Sequence, residues 1–144
     1  MRVTLACLLL LAGVAAATPS DAAGQKADAG AVAGRGITES GNLEVDIQPC
    51  GQALCGIVTR VLANRSMANP GMAMGERPAV GLRILDDFKP SGERTWEGRI
   101  FNRENGKTYD CVMTAVTTDE ITIRGYVFLP LFGQTQTWRR AAAN

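Results

Sequence analysis

The cysteines are the residues of this 144-residue chain with the most recognisable chemistry. Cys50 and Cys55 flank a short turn-like segment, and in an exported protein this spacing suits a disulfide across a tight turn. The alternative is a redox-active pair, but such pairs usually have C-x-x-C spacing at the start of a helix. We therefore predict a structural disulfide. Beyond the N-terminal apolar stretch, which contains Cys7, Cys111 is left over. Because Tyr109 and Met113 share its strand face, we expect a buried free thiol rather than a reactive or intermolecularly bonded one.

Two pairs of carboxylates have the residue types needed for acid–base or metal chemistry. Asp86 and Asp87 are adjacent, and they precede a turn-rich segment that predicts a solvated strand end. Glu97 and Asp110 fall on neighbouring predicted strands beside basic residues, where cross-strand charge pairing is the simpler interpretation. The chain contains no histidine, the commonest general base near neutral pH and the commonest metal ligand. We assign no catalytic residue, no metal and no cofactor, and we expect a protein that is not an enzyme.

Three methionines, Met67, Met72 and Met74, lie in an irregular segment over residues 63–79. Long irregular segments in compact domains are usually functional or disordered. Thioether sulfurs are soft ligands, so one interpretation is a copper(I) site. A second is an adaptable apolar lid over a binding site. A third is a mobile loop whose methionines fill gaps; we favour this one, then the lid, then copper.

A further set of apolar and aromatic side chains could bind an apolar ligand. Four of them are predicted to face inward, and two are predicted to form the rim of an entrance: Trp96, Tyr109, Met113 and Ile123 inside, with Phe128 and Phe132 at the rim. The two rim residues belong to an apolar loop over residues 128–133. An apolar loop folds over the end of the domain, contacts a partner or borders a ligand entrance. We slightly favour the first of these, in which the loop plugs the end.

The elements that must position these residues are β-strands. In the segment 95–101, Trp96, Gly98 and Ile100 share one face and charged residues share the other, which is the two-residue repeat of a half-buried strand. Asn105-Gly106 then predicts a tight hairpin, because both residues tolerate positive φ. The same patterns along the chain predict eight strands, near residues 36–40, 43–48, 55–62, 80–86, 94–101, 107–116, 120–127 and 134–140.

The N-terminal residues indicate export. Residues 1–17 combine a charged start, a short apolar core and an alanine-rich end, which predicts a signal peptide and a periplasmic or secreted protein. The apolar stretch is shorter than the about 20 residues that a spanning helix needs, so we predict no transmembrane segment. Residues 18–35 are rich in alanine and glycine and predict a flexible leader. A single β domain over residues 36–140 and a tail over 141–144 complete the expected organisation.

The charge balance excludes one class of partner. The chain has 15 basic and 14 acidic residues, and loss of Arg2 with a signal peptide would leave equal numbers. This near-neutral composition lacks the basic footprint of nucleic-acid-binding proteins. We therefore expect no nucleic-acid partner, and the sequence indicates no particular protein partner.

Three motifs carry a resemblance to a known family. They are TESGNLEVDIQPCGQALCGIV from Thr38, GRIFNRENGKTYDC from Gly98 and IRGYVFLPLFGQTQTW from Ile123. Together they resemble domain of unknown function family 2147, a family of small exported bacterial proteins. The resemblance implies a lipocalin-like, calycin-type barrel and no established activity. The family usually opens with Gly-x-Trp, whose Trp plugs the barrel floor in lipocalin-type folds, but residues 34–37 here read Gly-Arg-Gly-Ile. The resemblance leaves Arg139 or Arg140 as the late-strand arginine at that end.

These observations predict an all-β protein, an antiparallel up-and-down, lipocalin-like barrel of about eight strands. A barrel of this size is either filled by side chains or holds one small ligand. We expect a protein of the cell envelope that binds a small hydrophobic or amphipathic ligand. The alternative is a non-catalytic envelope interaction protein, with a filled barrel, that acts through its loops.

Overall fold

The fold is a closed barrel of eight antiparallel strands, seen in a computed structural model that describes residues 27–75 and 78–143 apart from the Phe132 side chain. Each strand pairs with the next along the chain, and the last pairs with the first. The strands are β1 (Gly34–Ile37), β2 (Leu43–Cys50), β3 (Ala53–Val61), β4 (Arg83–Pro90), β5 (Thr95–Asn102), β6 (Lys107–Ala115), β7 (Glu120–Tyr126) and β8 (Gln134–Arg140). The predicted up-and-down, lipocalin-like barrel is confirmed.

The barrel has two different ends, which we call the mouth end and the floor end. The mouth end carries the connections over residues 38–42, 62–82, 103–106 and 127–133. The floor end carries the connections over residues 51–52, 91–94 and 116–119, together with the chain that leads into β1. Within the described residues, no helix has both the length and the apolar character needed to cross a membrane.

The alternation seen in the sequence sets which side chains face inward. On β5, Trp96 is buried while Glu97 and Arg99 are exposed, and Trp96 pairs across the sheet with Met113. Gly106 has the positive φ of 72° that the predicted turn requires. The floor half of the barrel is filled by large side chains. The largest fully buried side chains of the barrel are Trp96, Trp138, Phe88, Leu85, Met113, Ile123, Val45, Val58, Cys55 and Cys111.

β4 lies further along the chain than its sequence pattern predicts. The predicted strand ended at Asp86 and Asp87, but the observed strand continues to Pro90. A bulge between Asp86 and Lys89, with Asp87 at a φ of 55°, shifts the register and turns the Phe88 side chain into the core. The predicted strand end is therefore wrong, although the side chains of Asp86 and Asp87 are exposed to solvent, as predicted. A bulge inserts an extra residue and breaks the two-residue repeat on which the prediction relied.

The segment over residues 27–35 closes the floor instead of forming part of a flexible leader. It contains a 3-10 turn, Ala29–Ala31, and buries Val32, which is 2% exposed. Arg140 donates hydrogen bonds from its guanidinium to the carbonyls of Ala33 (2.6 Å), Ala31 (3.4 Å) and Thr118 (2.9 Å). Arg140 is thus the late-strand arginine at the floor. The expected signal peptide and residues 18–26 lie outside the described residues, and the domain boundaries stay a prediction.

The disulfide between Cys50 and Cys55 joins the ends of β2 and β3 across the turn at the floor end, as predicted. Gly51 in that turn has a φ of 67°, a conformation that glycine adopts at little cost. Cys111 is a buried free thiol, also as predicted. Burial in apolar surroundings raises the pKa of Cys111 to about 12, because the thiolate would have to form away from water.

Candidate ligand-binding site

A cavity of about 430 Å³ occupies the mouth half of the barrel and opens between the mouth connections. Both apolar and polar side chains line it. The apolar ones come from five strands: Leu43, Ile84, Ile100, Phe101, Ile123 and Trp138. Trp138 and Ile123 are each 1% exposed and lie furthest from the mouth. The barrel is therefore packed in its floor half and hollow in its mouth half, which corrects the expectation of a filled barrel held by the alternative hypothesis.

Polar groups are distributed at two levels of this cavity. Deep inside, the Trp138 indole Nε1–H donates to Gln136 Oε1 over 3.1 Å. Near the mouth, Asn105 Nδ2 donates to the Tyr109 hydroxyl over 2.8 Å. Both contacts fix polar side chains in a wall that combines apolar and polar groups. Small-molecule sites likewise combine an apolar lining with polar groups that orient the ligand.

The connection between β3 and β4 crosses the mouth and contributes Met67 and Met74 to the cavity wall. Buried Asn42 anchors this connection by donating from Nδ2 to the carbonyl of Arg65 over 2.7 Å. Arg103, in the turn between β5 and β6, donates to Asn64 Oδ1 over 2.9 Å and to the Met74 sulfur over 3.8 Å. The connection therefore forms a cover that is attached to two neighbouring hairpins.

Glu104 adds a titratable attachment for this cover. Its carboxylate accepts hydrogen bonds from the Ser66 hydroxyl and from the backbone N–H of Met67, the latter over 3.0 Å. The Ser66 hydrogen bond is the main cause that lowers the pKa of Glu104, and the backbone amides of Met67 and Ala68 lower it further. The contact is therefore made by the ionised carboxylate at neutral pH.

The methionines fit the lid interpretation in part. Met67 and Met74 lie in the cavity wall, whereas the Met72 side chain is exposed. Over residues 27–75 and 78–143, no three His, Cys, Asp or Glu side chains are grouped to hold a metal ion. The copper interpretation rests on methionine sulfurs, which are not among these four residue types. It therefore stays a prediction.

The apolar loop between β7 and β8 contributes Val127 to the cavity wall, but Phe128 lies outside that wall. Phe128 is 91% exposed, so its aromatic ring does not plug the barrel, and the slightly favoured expectation is wrong for this residue. Arg124 holds the loop by donating to the carbonyls of Pro130 (2.6 Å) and Leu131 (3.2 Å) and to the hydroxyl of Thr135 (2.6 Å). These contacts hold two carbonyls of the loop, and the side chains of Phe128, Leu129 and Leu131 are exposed to solvent.

The six predicted ligand-lining residues are distributed over three regions. Tyr109 and Ile123 lie in the cavity wall. Trp96 and Met113 are fully buried in the packed floor half, outside the cavity wall, and Phe128 lies at the mouth end outside the wall. The Phe132 side chain is not among those described. Whether any of these residues contacts a ligand stays a prediction.

Several wall residues escaped prediction although the sequence contained their signal. Gln136 and Trp138 alternate on one face of β8, and Leu43 begins the clear alternation of β2. Ile84 belongs to the misplaced β4. Alternation identified the inward faces of the strands. It gave no information on which inward residues lie in the mouth half of the barrel, where the cavity is.

The candidate catalytic carboxylates lie on the outer wall in ion pairs and cross-strand registers. Asp86 pairs with Arg83 at 3.2 Å and with Arg99 at 3.4 Å, and Asp87 pairs with a neighbouring lysine at 3.0 Å. In the strand register, Asp110 stands opposite Arg99. These positions match the predicted cross-strand charge pairing.

Comparisons with known proteins agree with this fold. Residues 34–140 match the family described as "Uncharacterized protein conserved in bacteria (DUF2147)". Among solved structures, the chain is similar to HP1028 from the human pathogen Helicobacter pylori, which is described as belonging to the lipocalin family. The TM-score is 0.55 at 19% sequence identity, and the match covers 69% of this chain and 73% of that chain. At this identity the likeness is one of fold. The curated protein sequences gave no significant match.

Proposed function

The chain belongs to the DUF2147 family of bacterial proteins, and from this premise we propose that it binds a small hydrophobic or amphipathic ligand in the cell envelope. The observation that carries the proposal is the cavity of about 430 Å³ in the mouth half of a lipocalin-like barrel. Ligand pockets in proteins usually have volumes of about 300–1,000 Å³ and mostly apolar walls. The cavity therefore has the size and the lining of a site for one small molecule.

The distribution of polar groups supports an amphipathic ligand that enters tail first. The deep wall is formed by Ile123 and Trp138, and the charged residues of the lining, Arg103 and Glu104, both lie at the mouth. Because an unpaired charge in an apolar space is costly, the buried part of the ligand should be uncharged. A polar head would lie near the mouth, where amide side chains such as Asn102 offer hydrogen bonds.

Two features support action outside the cytosol. Residues 1–17 have the pattern of a signal peptide. The Cys50–Cys55 disulfide is of a kind that persists in oxidising compartments such as the periplasm and is rare in the cytosol. The proposal assigns the protein no catalytic step, since its candidate acid–base residues lie on the outer wall and not in the cavity.

A fluorescence titration tests the proposal directly. The Trp138 indole lies in the cavity wall, so a bound ligand should change its emission. A ligand with about 20 non-hydrogen atoms, each contributing about 0.3 kcal/mol, would bind with a Kd of tens of micromolar. Fatty acids, lysophospholipids and apolar dyes should be titrated across that range, and at least one class should give a saturable change.

Substitutions at Gly125 provide the matched control. Gly125 lines the cavity, and a Cβ atom there would meet nothing closer than Ile100 Cγ2 at 3.4 Å. Gly125→Leu should fill the hollow level and abolish the titration, while Gly125→Ala should retain it. Absence of any saturable response in the wild type, or unchanged binding by a folded Gly125→Leu variant, would overturn the proposed function.

A further inference from the structure

We propose that the mouth end of the barrel docks on an anionic lipid surface, with the apolar loop over residues 127–133 entering the lipid. The docked orientation would place the cavity opening against the bilayer, so that an amphipathic ligand passes between lipid and cavity without crossing water. The transfer of a ligand between lipid and cavity rests on the proposed function. The docking itself is argued from separate observations.

The exposed large apolar side chains are concentrated at one end of the molecule. Ten are exposed among the described residues, and eight of them lie at the mouth: Val61, Leu62, Met67, Met72, Val127, Phe128, Leu129 and Leu131. Val80 lies where the chain returns beside Val58, and Val116 lies at the floor end. Scattered exposed apolar residues are normal, but their concentration at the end that carries the cavity opening favours an interaction surface there.

The loop between β7 and β8 is built to present its apolar side chains outward. Phe128 adopts a φ of 67°, a left-handed conformation that is strained for a bulky aromatic residue. The Arg124 guanidinium donates to the carbonyls of Pro130 and Leu131 and holds this shape. Strain of this kind persists only where the surroundings enforce it, and it is concentrated at functional sites. Here its effect is to leave the Phe128 ring 91% exposed beside the cavity opening.

The charges at the mouth favour an anionic lipid headgroup as the contact. The loop over residues 127–133 has no charged residue. Arg65 lies exposed in the connection between β3 and β4, and exposed Lys107 is the first residue of β6 at the mouth end. Among the described residues of the mouth connections, the two carboxylates, Glu39 and Glu104, both accept hydrogen bonds from backbone N–H groups of the protein. Apolar side chains flanked by cations are the combination that binds anionic membrane surfaces.

A pair of tryptophan reporters tests the docking and its orientation. Phe128→Trp places a reporter in the loop, and Val116→Trp places a matched reporter at an exposed position of the floor end. Each full-length variant is mixed with vesicles of phosphatidylcholine and phosphatidylglycerol, with and without brominated acyl chains, and the wild-type spectrum is subtracted. We expect blue-shifted, bromine-quenched emission from Phe128→Trp, no such change from Val116→Trp, and weaker effects on pure phosphatidylcholine.

Other results would overturn the docking proposal. Equal quenching of both reporters would indicate attachment through another part of the chain, and no quenching would indicate no docking. A concentration-dependent blue shift without vesicles would instead identify a second copy of the chain as the occupant.

A double variant separates this inference from the proposed function. Phe128→Ser with Leu131→Ser should weaken vesicle binding by more than about tenfold, because two large apolar side chains no longer enter lipid. Its binding of a dispersed ligand, without vesicles, should equal that of the wild type. If the wild type binds no ligand but bromine still quenches the Phe128→Trp reporter, the proposed function is contradicted and the docking proposal stands. If the wild type binds ligand but the reporter is not quenched, only the docking proposal is contradicted.

Discussion

Gly98 on β5 should be among the least replaceable residues of the barrel. A Cβ atom at this position would lie 2.7 Å from the carbonyl oxygen of Asp86 and 2.7 Å from the ring carbons Cγ and Cδ2 of Phe88. Neither neighbour can move away easily, because the carbonyl belongs to the backbone of the β4 bulge and the ring is fully buried. Gly98→Ala should therefore force a shift of the bulge or of the Phe88 side chain.

The magnitude follows from the cost of overpacking a close-packed core. One extra methyl group in a tight site costs about 1–3 kcal/mol. For a domain of this size, about 1 kcal/mol corresponds to a fall in Tm of roughly 4–8 °C. Gly98→Ala should thus lower the Tm by at least about 4 °C, measured by circular dichroism or differential scanning fluorimetry, with a parallel decrease in the urea midpoint.

Gly125 supplies a control from the same layer of the barrel. Gly98 and Gly125 stand on opposite sides of Cys111 in the strand register. The nearest atom to a Cβ at Gly125 is 3.4 Å away, which is ordinary contact. Gly125→Ala should therefore be neutral, or stabilise by up to about 1 kcal/mol by restricting the unfolded chain. The reasoning is refuted if Gly98→Ala melts with the wild type, or if Gly125→Ala loses as much stability.

Three further outcomes are expected. Because the hydrogen bond from Ser66 lowers the pKa of Glu104 from 4.5, the contact stabilises the cover at neutral pH and is lost as the pH falls through the lowered pKa. Protection of the amides over residues 62–82, measured by hydrogen exchange relative to the intrinsic rate at each pH, should fall only in acid for the wild type, but already at neutral pH for Glu104→Gln. Burial raises the pKa of Cys111 to about 12, so iodoacetamide should alkylate this thiol at mildly alkaline pH only after unfolding, as followed by mass spectrometry. Reduction of the Cys50–Cys55 disulfide should lower the free energy of unfolding by about 2 kcal/mol in urea titrations, since its loop is short.

Alternation in the sequence predicted the inward faces, because the two-residue repeat is a local property of a strand. Trp96 and Tyr109 were both assigned to the interior, and both face it. Their levels along the barrel axis differ, since Trp96 packs in the floor half and Tyr109 lies at the hollow level. The position of a residue along the barrel axis depends on the strand register, and whether that position is packed depends on which end of the barrel is filled. The pattern of a single strand gives neither piece of information, so the division between packed and hollow halves could not be predicted.

The two misplaced segments also have physical causes. The bulge at Asp87 adds a residue to β4 and interrupts its alternation. Because turn-forming residues surround Phe88, the sequence did not predict that Phe88 belongs to a strand. The chain over residues 27–35 has little apolar surface of its own and is ordered by contacts that are distant in sequence. The hydrogen bond from Arg140 to Ala33 spans 107 residues. Composition alone predicts flexibility for such a segment, because composition does not include the partner that orders it.

That long-range contact has a consequence for the order of events during biosynthesis. β1 can pair with β8, and the floor segment can contact Arg140, only after β8 is available. Sheets that depend on such distant pairing close late, since the entropy of joining the ends must be overcome before the contacts form. A chain exported in the proposed way would therefore stay open while it passes through a translocon, and the barrel would close only after β8 emerges on the far side.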